Sequence, residues 1–127
     1  MKKFINDVEQ VENEMVEGLV KAYPKYLRKL DDSHVLVRKE AKKNKVALVS
    51  GGGSGHEPAH AGFVGYGMLD AAVPGAVFTS PTPDAVYDAI KEVATDEGVL
   101  LIIKNYTGDV MNFEMAGEMA EGEGIKV

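Results

Sequence analysis

Apolar side chains at Val8, Val11, Met15, Val16, Leu19, Val20 and Tyr23 recur every three or four residues and stop at Pro24, the period of one face of an α-helix. This spacing predicts an amphipathic helix over residues 7–22. Asn6 followed by Glu9 supplies a capping box, with Asn where Ser or Thr is usual. Residues 26–33 mix polar and apolar positions without a period and read as a loop. Residues 35–37 and 46–49 read as short strands.

From Val46 the pattern changes. An unbroken apolar run, a loop of small and polar residues and a helix follow one another three times. The first unit is VALVS, GGGSGHEP and a short helical stretch over residues 59–64. The second is GAVF, TSPTP and DAVYDAIKEVA, and the third is VLLII, KNYTGD and VMNFEMAGEMA. Strands without polar alternation, interleaved with helices, predict an α/β fold with a mainly parallel sheet flanked by helices. Thr82 before Pro83 marks a helix start, with proline at the first helical position. Asp109 is placed to cap the third helix, and Met111, Met115 and Met119 fall on one face of it as expected core packing. Gly122 and Gly124 end that helix, and residues 125–127 read as the opening of a further strand. A strand only three residues long at the chain's end leads us to expect that residues 1–127 are the N-terminal piece of a longer domain.

Composition removes several function classes. There is no cysteine among the 127 residues, which excludes disulfides, thiolate catalysis and Cys-based zinc sites. The net charge is -6, and the basic residues are scattered except for a short turn over residues 39–45, so nothing favours nucleic acid. The longest apolar run, residues 99–103, is far short of the ~20 residues that span a bilayer. The opening MKKFINDVEQ turns acidic at once and carries no leader pattern. The expectation is a cytoplasmic protein without a membrane anchor.

The string GGGSGHEPAH, residues 51–60, joins a glycine-rich loop to the H-E-x-x-H pattern of zinc proteases. That pattern needs both imidazoles on one face of a regular helix, and Pro58 between them breaks the ladder unless the helix starts there. A P-loop needs Lys-Ser or Lys-Thr after the glycines, and a dinucleotide fingerprint needs a third glycine where His56 stands. What remains is a glycine floor at the carboxyl end of a strand, where open α/β sheets bind ligands. The other two loops bring Thr79, Ser80 and Thr82, and Lys104, Asn105, Thr107 and Asp109, to the same edge. Such a pocket suits a short polyhydroxy or phosphorylated ligand. His56 has the chemistry of a general base. Lys104 either holds a carbonyl or phosphate oxygen or faces solvent, and Asp109 either engages a ligand hydroxyl or only caps its helix. His60 is expected to pack on its helix, and His34 precedes a strand.

SGGGSGHEPAH, FTSPTPDAV and LLIIKNYTGDVMNFEMA, with the opening MKKFINDVEQVENEMVEGLVKAYP, make the chain resemble the dihydroxyacetone kinase family over essentially its whole length. It most resembles the dihydroxyacetone-binding (DhaK) subunits of the phosphotransferase-dependent branch. The resemblance implies that Gly53, Ser54, Gly55 and His56 contact dihydroxyacetone, that Lys104 and Asp109 line the same pocket, and that His56 is the catalytic base. It also implies a histidine later than residue 127 that forms a covalent hemiaminal with the carbonyl. Mg-ADP is expected not on this chain but on a nucleotide-bearing (DhaL-like) partner, recharged by a phosphocarrier (DhaM-like) subunit. The full-length subunit is expected to form a homodimer. A dihydroxyacetone-binding coactivator or sensor is the alternative that the same resemblance leaves open, and a zinc hydrolase is a third reading.

Overall fold

The computed structural model describes residues 2–127. A 3-10 turn, Val8–Gln10, leads into helix α1, Val11–Ala22. The capping residue is Asp7 rather than Asn6: Asp7 is extended and its carboxylate accepts from the Glu9 amide at 2.9 Å. The Asn6 side chain instead donates to Glu14 at 2.9 Å.

Residues expected to be loop contain a strand. β1, Leu27–Lys29, forms an antiparallel hairpin with β2, Leu36–Arg38, pairing Leu27 with Arg38. β2 pairs antiparallel with β4, Ala71–Val77. β4 lies parallel to β3, Ala47–Ser54, and β3 lies parallel to β5, Val99–Ile102. The strand order is β1-β2-β4-β3-β5, so a parallel core of three strands carries an antiparallel hairpin on one edge.

Two strands are longer than their apolar runs. β3 continues through Gly51, Gly52 and Gly53 instead of ending before them, because its neighbours come too close for side chains. A Cβ on Gly51 would lie 2.4 Å from the Val73 carbonyl oxygen. β4 begins at Ala71, not at Gly75, and passes through Pro74. Its pairing with β2 stops at Ala72, so the missing proline N–H leaves no ladder bond unfilled on that side.

Alternating positions then face two layers. Val35, Val37, Val49 and Val73 pack against α2, Pro83–Val93, and α3, Thr107–Gly122, through Val86, Ile90, Phe113 and Ala116. Leu36 faces the other way, onto Val16 of α1 and Ala61, while Leu27, Leu69 and Ala72 form a smaller cluster on that side. Met111, Met115 and Met119 do share one face of α3, but that face is not core: they are 60%, 51% and 38% exposed. The buried stripe is Phe113, Ala116, Gly117 and Ala120, and its three small residues let the helix come close to the sheet: a Cβ on Gly117 would lie 3.6 Å from Leu101 and Val127. Residues 125–127 form no assigned strand, although the Val99 amide donates to the Lys126 carbonyl at 2.8 Å. No helix among the described residues is long and apolar enough to cross a membrane.

One buried charge ties the sheet together. Asp70, just before β4, pairs with Arg38 at 3.3 Å and with Lys45, and accepts from the Leu48 amide at 2.8 Å. Arg38 is itself buried. Asp70→Ala therefore leaves a guanidinium out of water without its counter-charge, and a loss of about 3–5 kcal/mol of stability is expected, read as a shift of the urea-unfolding midpoint.

Candidate functional site

The strand ends decide which side chains meet. At the end of β3 the register slips between Gly53 and Ser54, a bulge that re-aims the chain as it leaves the sheet. Gly55 follows at φ 112, where only glycine sits without strain, and the Glu57 carboxylate accepts from its amide at 3.0 Å. Residues 56–60 then run as turns, and the expected helix over 59–64 is a single 3-10 turn, Ala61–Phe63. His56 and His60 therefore do not project from one helix. Among the described residues, no group of three or more His, Asp or Glu is arranged to hold a metal ion. These findings contradict the geometry that a zinc-protease reading requires.

β4 delivers the second wall. Phe78 has φ 50, an uncommon conformation for a bulky residue. Its ring meets His56 edge-on, with centroids 5.3 Å apart. It also fills the space beside Gly55, where a Cβ would lie 2.7 Å from the ring. The Asn112 side-chain amide donates to the Pro81 carbonyl at 2.8 Å and so ties this loop to α3. The third wall comes from β5 and the start of α3. Lys104 is half-buried, its ammonium 5.3 Å from the centre of the Tyr106 ring, within cation–π range.

Asp109 is not the helix cap. Tyr106 occupies the N-cap position with no side-chain cap bond, and Asp109 lies inside the first turn of α3. It is only 5% exposed, and its Oδ1 has no hydrogen-bond partner among the described residues. A buried carboxylate oxygen without a donor is costly, even at a helix start whose dipole favours negative charge. The atom is suited to a hydroxyl supplied from outside the chain.

These groups converge on an open cleft of about 640 Å³, lined by Gly53, His56, Phe78, Thr79, Ser80, Lys104, Tyr106, Gly108, Asp109 and Asn112. It lies at the carboxyl edge of the parallel strands. A somewhat larger cleft, about 740 Å³, lies between α1 and residues 57–66 and is mainly apolar. It does not gather the imidazole, ammonium and carboxylate that make the first one chemically capable.

Of the residues singled out by sequence, Gly53, His56, Lys104 and Asp109 line the cleft, with Thr79 and Ser80. Ser54 and Gly55 do not: the Ser54 hydroxyl is buried and donates to the Gly75 carbonyl at 2.7 Å. The Thr82 hydroxyl is engaged in capping α2, and Asn105 and Thr107 lie outside the lining. Phe78, Tyr106 and Asn112 were not foreseen, since an aromatic beside a strand end reads as core and an asparagine inside a helix as surface. His60 does not pack on a helix. Its pKa is lowered from 6.5 mainly by burial and then by Lys104 and His56, against an opposing pull from Asp109.

A family model described as the Dak1 domain matches residues 17–127. Among curated proteins, the chain is 64% identical over 126 residues to the dihydroxyacetone-binding subunit DhaK of the PTS-dependent dihydroxyacetone kinase of Lactococcus lactis, covering 99% of this chain and 38% of that protein. It is 53% identical over 127 residues to the DhaK subunit of the PEP-dependent dihydroxyacetone kinase of Escherichia coli, covering 100% of this chain and 36% of that one. Among solved structures, the native dihydroxyacetone kinase of C. freundii superposes with a TM-score of 0.94 at 47% identity, over 99% of this chain and 24% of that one. The dihydroxyacetone kinase operon co-activator DhaQ superposes with a TM-score of 0.86 at 41% identity, over 96% of this chain and 36% of that one. The chain thus spans well under half the length of these relatives.

Two glycine substitutions test the crowding at the site. A Cβ on Gly53 would lie 2.6 Å from the Thr79 amide nitrogen, whereas one on Gly18 of α1 meets nothing within 4 Å. Gly53→Ala is expected to destabilise by about 1–3 kcal/mol and Gly18→Ala to stabilise by about 0.5–1 kcal/mol, both read by chemical denaturation.

Proposed function

We propose, from the premise that this chain belongs to the Dak1 domain family, that it forms the ketone-binding part of a dihydroxyacetone kinase, where dihydroxyacetone is phosphorylated to dihydroxyacetone phosphate. The observation that carries this reading is the meeting of His56, Lys104 and the unpartnered Asp109 Oδ1 in one cleft, in a chain 64% identical to a protein named as a dihydroxyacetone-binding subunit.

Each group has a defined task. Gly53, without a Cβ, lets the loop after β4 close against the strand, and its backbone forms part of the cleft wall beside the small ketone. Asp109 Oδ1 accepts a hydrogen bond from a ligand hydroxyl, satisfying an atom that has no partner among the described residues. Lys104 holds a carbonyl or phosphoryl oxygen as a point charge. His56, exposed at the cleft mouth, takes the proton of the attacking hydroxyl. That oxygen then forms a bond to the transferred phosphorus, and the bond between this phosphorus and its donor breaks. Phosphoryl transfer of this kind depends on positioning and charge stabilisation more than on covalent work by the protein.

In this proposal the phosphoryl donor is an Mg-nucleotide on a DhaL-like partner, its ADP recharged by a DhaM-like phosphocarrier. This chain, the N-terminal part of the ketone-binding domain, contributes the acceptor site alone. The PTS-dependent and PEP-dependent names of the relatives support that division. The same reading takes the assembly as cytoplasmic and its ketone-binding subunit as a homodimer.

The likeness to a co-activator gives the alternative, a ketone sensor without turnover, but among the solved structures the identity is lower there, 41% against 47% for the C. freundii kinase. Mere binding also needs no general base. Full-length protein mixed with its nucleotide-bearing and phosphocarrier partners is expected to make dihydroxyacetone phosphate. His56→Ala is expected to lower kcat by about 10²–10⁴-fold while KM changes far less. Unaltered turnover removes His56 from the base role, and no turnover in the unsubstituted protein favours the sensor.

A further inference from the structure

The second histidine of the H-E-x-x-H string has no task in the reaction above, yet its surroundings are specific. A Cβ on Gly52 would lie 2.8 Å from Lys104 Cδ, 3.0 Å from Lys104 Nζ and 3.1 Å from His60 Cε1. The lysine stem and the imidazole therefore lie side by side over the bare backbone of β3. Lys104 also stands in the wall between two cavities. One is the polar cleft, and the other is a mainly apolar hollow of about 380 Å³ that His60 lines together with Leu48, Phe63 and Ile102.

Lys104 takes part in none of the ion pairs among the described residues. Its flanking groups are a half-buried imidazole and the Tyr106 ring. A carboxylate in the place of His60 would neutralise the ammonium, and a second fixed cation would repel it. A neutral imidazole does neither.

We propose that His60 is a positioning residue for Lys104: uncharged, it packs the lysine stem against Gly52 and keeps the ammonium directed into the cleft with its charge available to a ligand oxygen. The proposal rests on the function argued above, in which Lys104 binds the ketone or the incoming phosphoryl group.

Three groups act on His60 electrostatically: Lys104 from the loop after β5, Asp109 from the first turn of α3, and His56 from the turn after β3. Burial acts first, then Lys104, to hold the imidazole below its ordinary value of 6.5; Asp109 opposes this and His56 adds to it. The sign follows from proton linkage. In the range below pH 6.5 the unfolded chain binds more protons at this site than the folded one, so stability rises with pH through that window and falls on acidification. The folded protein thus keeps His60 neutral to lower pH than a free histidine. Once the proton binds, two cations share the space over Gly52, and Lys104 is driven from its position.

The test uses full-length protein with its two partners, assayed as wild type, His60→Ala and His60→Gln. The His60 imidazole is followed by NMR titration in the wild type and in Lys104→Met. His60→Ala is expected to raise KM for dihydroxyacetone about tenfold, with kcat changed far less. His60→Gln, neutral and of similar reach, is expected to recover most of the wild-type KM and to lose part of its rise below pH 6.5. Lys104→Met is expected to move the His60 titration up toward 6.5. A folded His60→Ala protein with wild-type KM overturns the proposal, as does a His60 titration indifferent to Lys104→Met. If His60→Ala does not fold, His60→Gln decides, and an acid rise in KM identical to wild type overturns the proposal. A wild-type assembly that makes no dihydroxyacetone phosphate refutes the functional reading instead, and the NMR titration still decides whether His60 and Lys104 are coupled.

Discussion

The absence of side chains along the carboxyl half of β3 is the constraint on which the site depends. At Gly51 the Val73 carbonyl, at Gly52 the Lys104 stem and at Gly53 the Thr79 amide each occupy the space that a Cβ would need. β4 with the loop after it, and the segment after β5, are thereby drawn against one backbone. The loop after β4 brings Phe78 over His56, and the segment after β5 lays Lys104 across the strand. Asn112 then fastens the β4 loop to α3. Chemistry drawn from three separate loops collects in one cleft because one strand offers no bulk to hold the others away.

The electrostatics of the cleft contrast with those of the sheet. Asp70 has two cationic partners and an amide donor, so its charge is used up within the fold. Among the described residues, Asp109 keeps one buried oxygen without a donor, and Lys104 keeps an ammonium without a carboxylate. Unmet hydrogen-bonding capacity lowers stability in an isolated fold. In the proposed kinase the same capacity is directed at a small polyhydroxy ligand, so the cost in the free protein becomes recognition in the complex. His60 fits this pattern as a neutral neighbour that leaves the lysine's charge intact.

Much of this was legible in the sequence, for identifiable reasons. The recurrence of apolar residues marked α1, the Thr82-Pro83 start marked α2, and the unbroken VLLII run marked β5. Strand-loop-helix order placed His56, Lys104 and Asp109 on one edge. β1 escaped because three residues with one buried side chain carry no period, and its existence depends on pairing with β2. The extension of β3 through glycines runs against intrinsic propensity and follows from the closeness of β4. The methionine face of α3 misled because four-residue spacing shows which residues share a face, not which face is buried; the small residues Ala116, Gly117 and Ala120 decided that. The resemblance implied that Ser54 contacts the ligand; in the structure its hydroxyl is buried and donates to the Gly75 carbonyl.

A crystal structure of the protein with dihydroxyacetone tests the central claim most directly. The expected result is the ketone in the cleft at the ends of β3, β4 and β5, with a hydroxyl on Asp109 Oδ1 and another within reach of His56. Ligand bound in the apolar cleft between α1 and residues 57–66, with Asp109 Oδ1 still unpartnered, would contradict it.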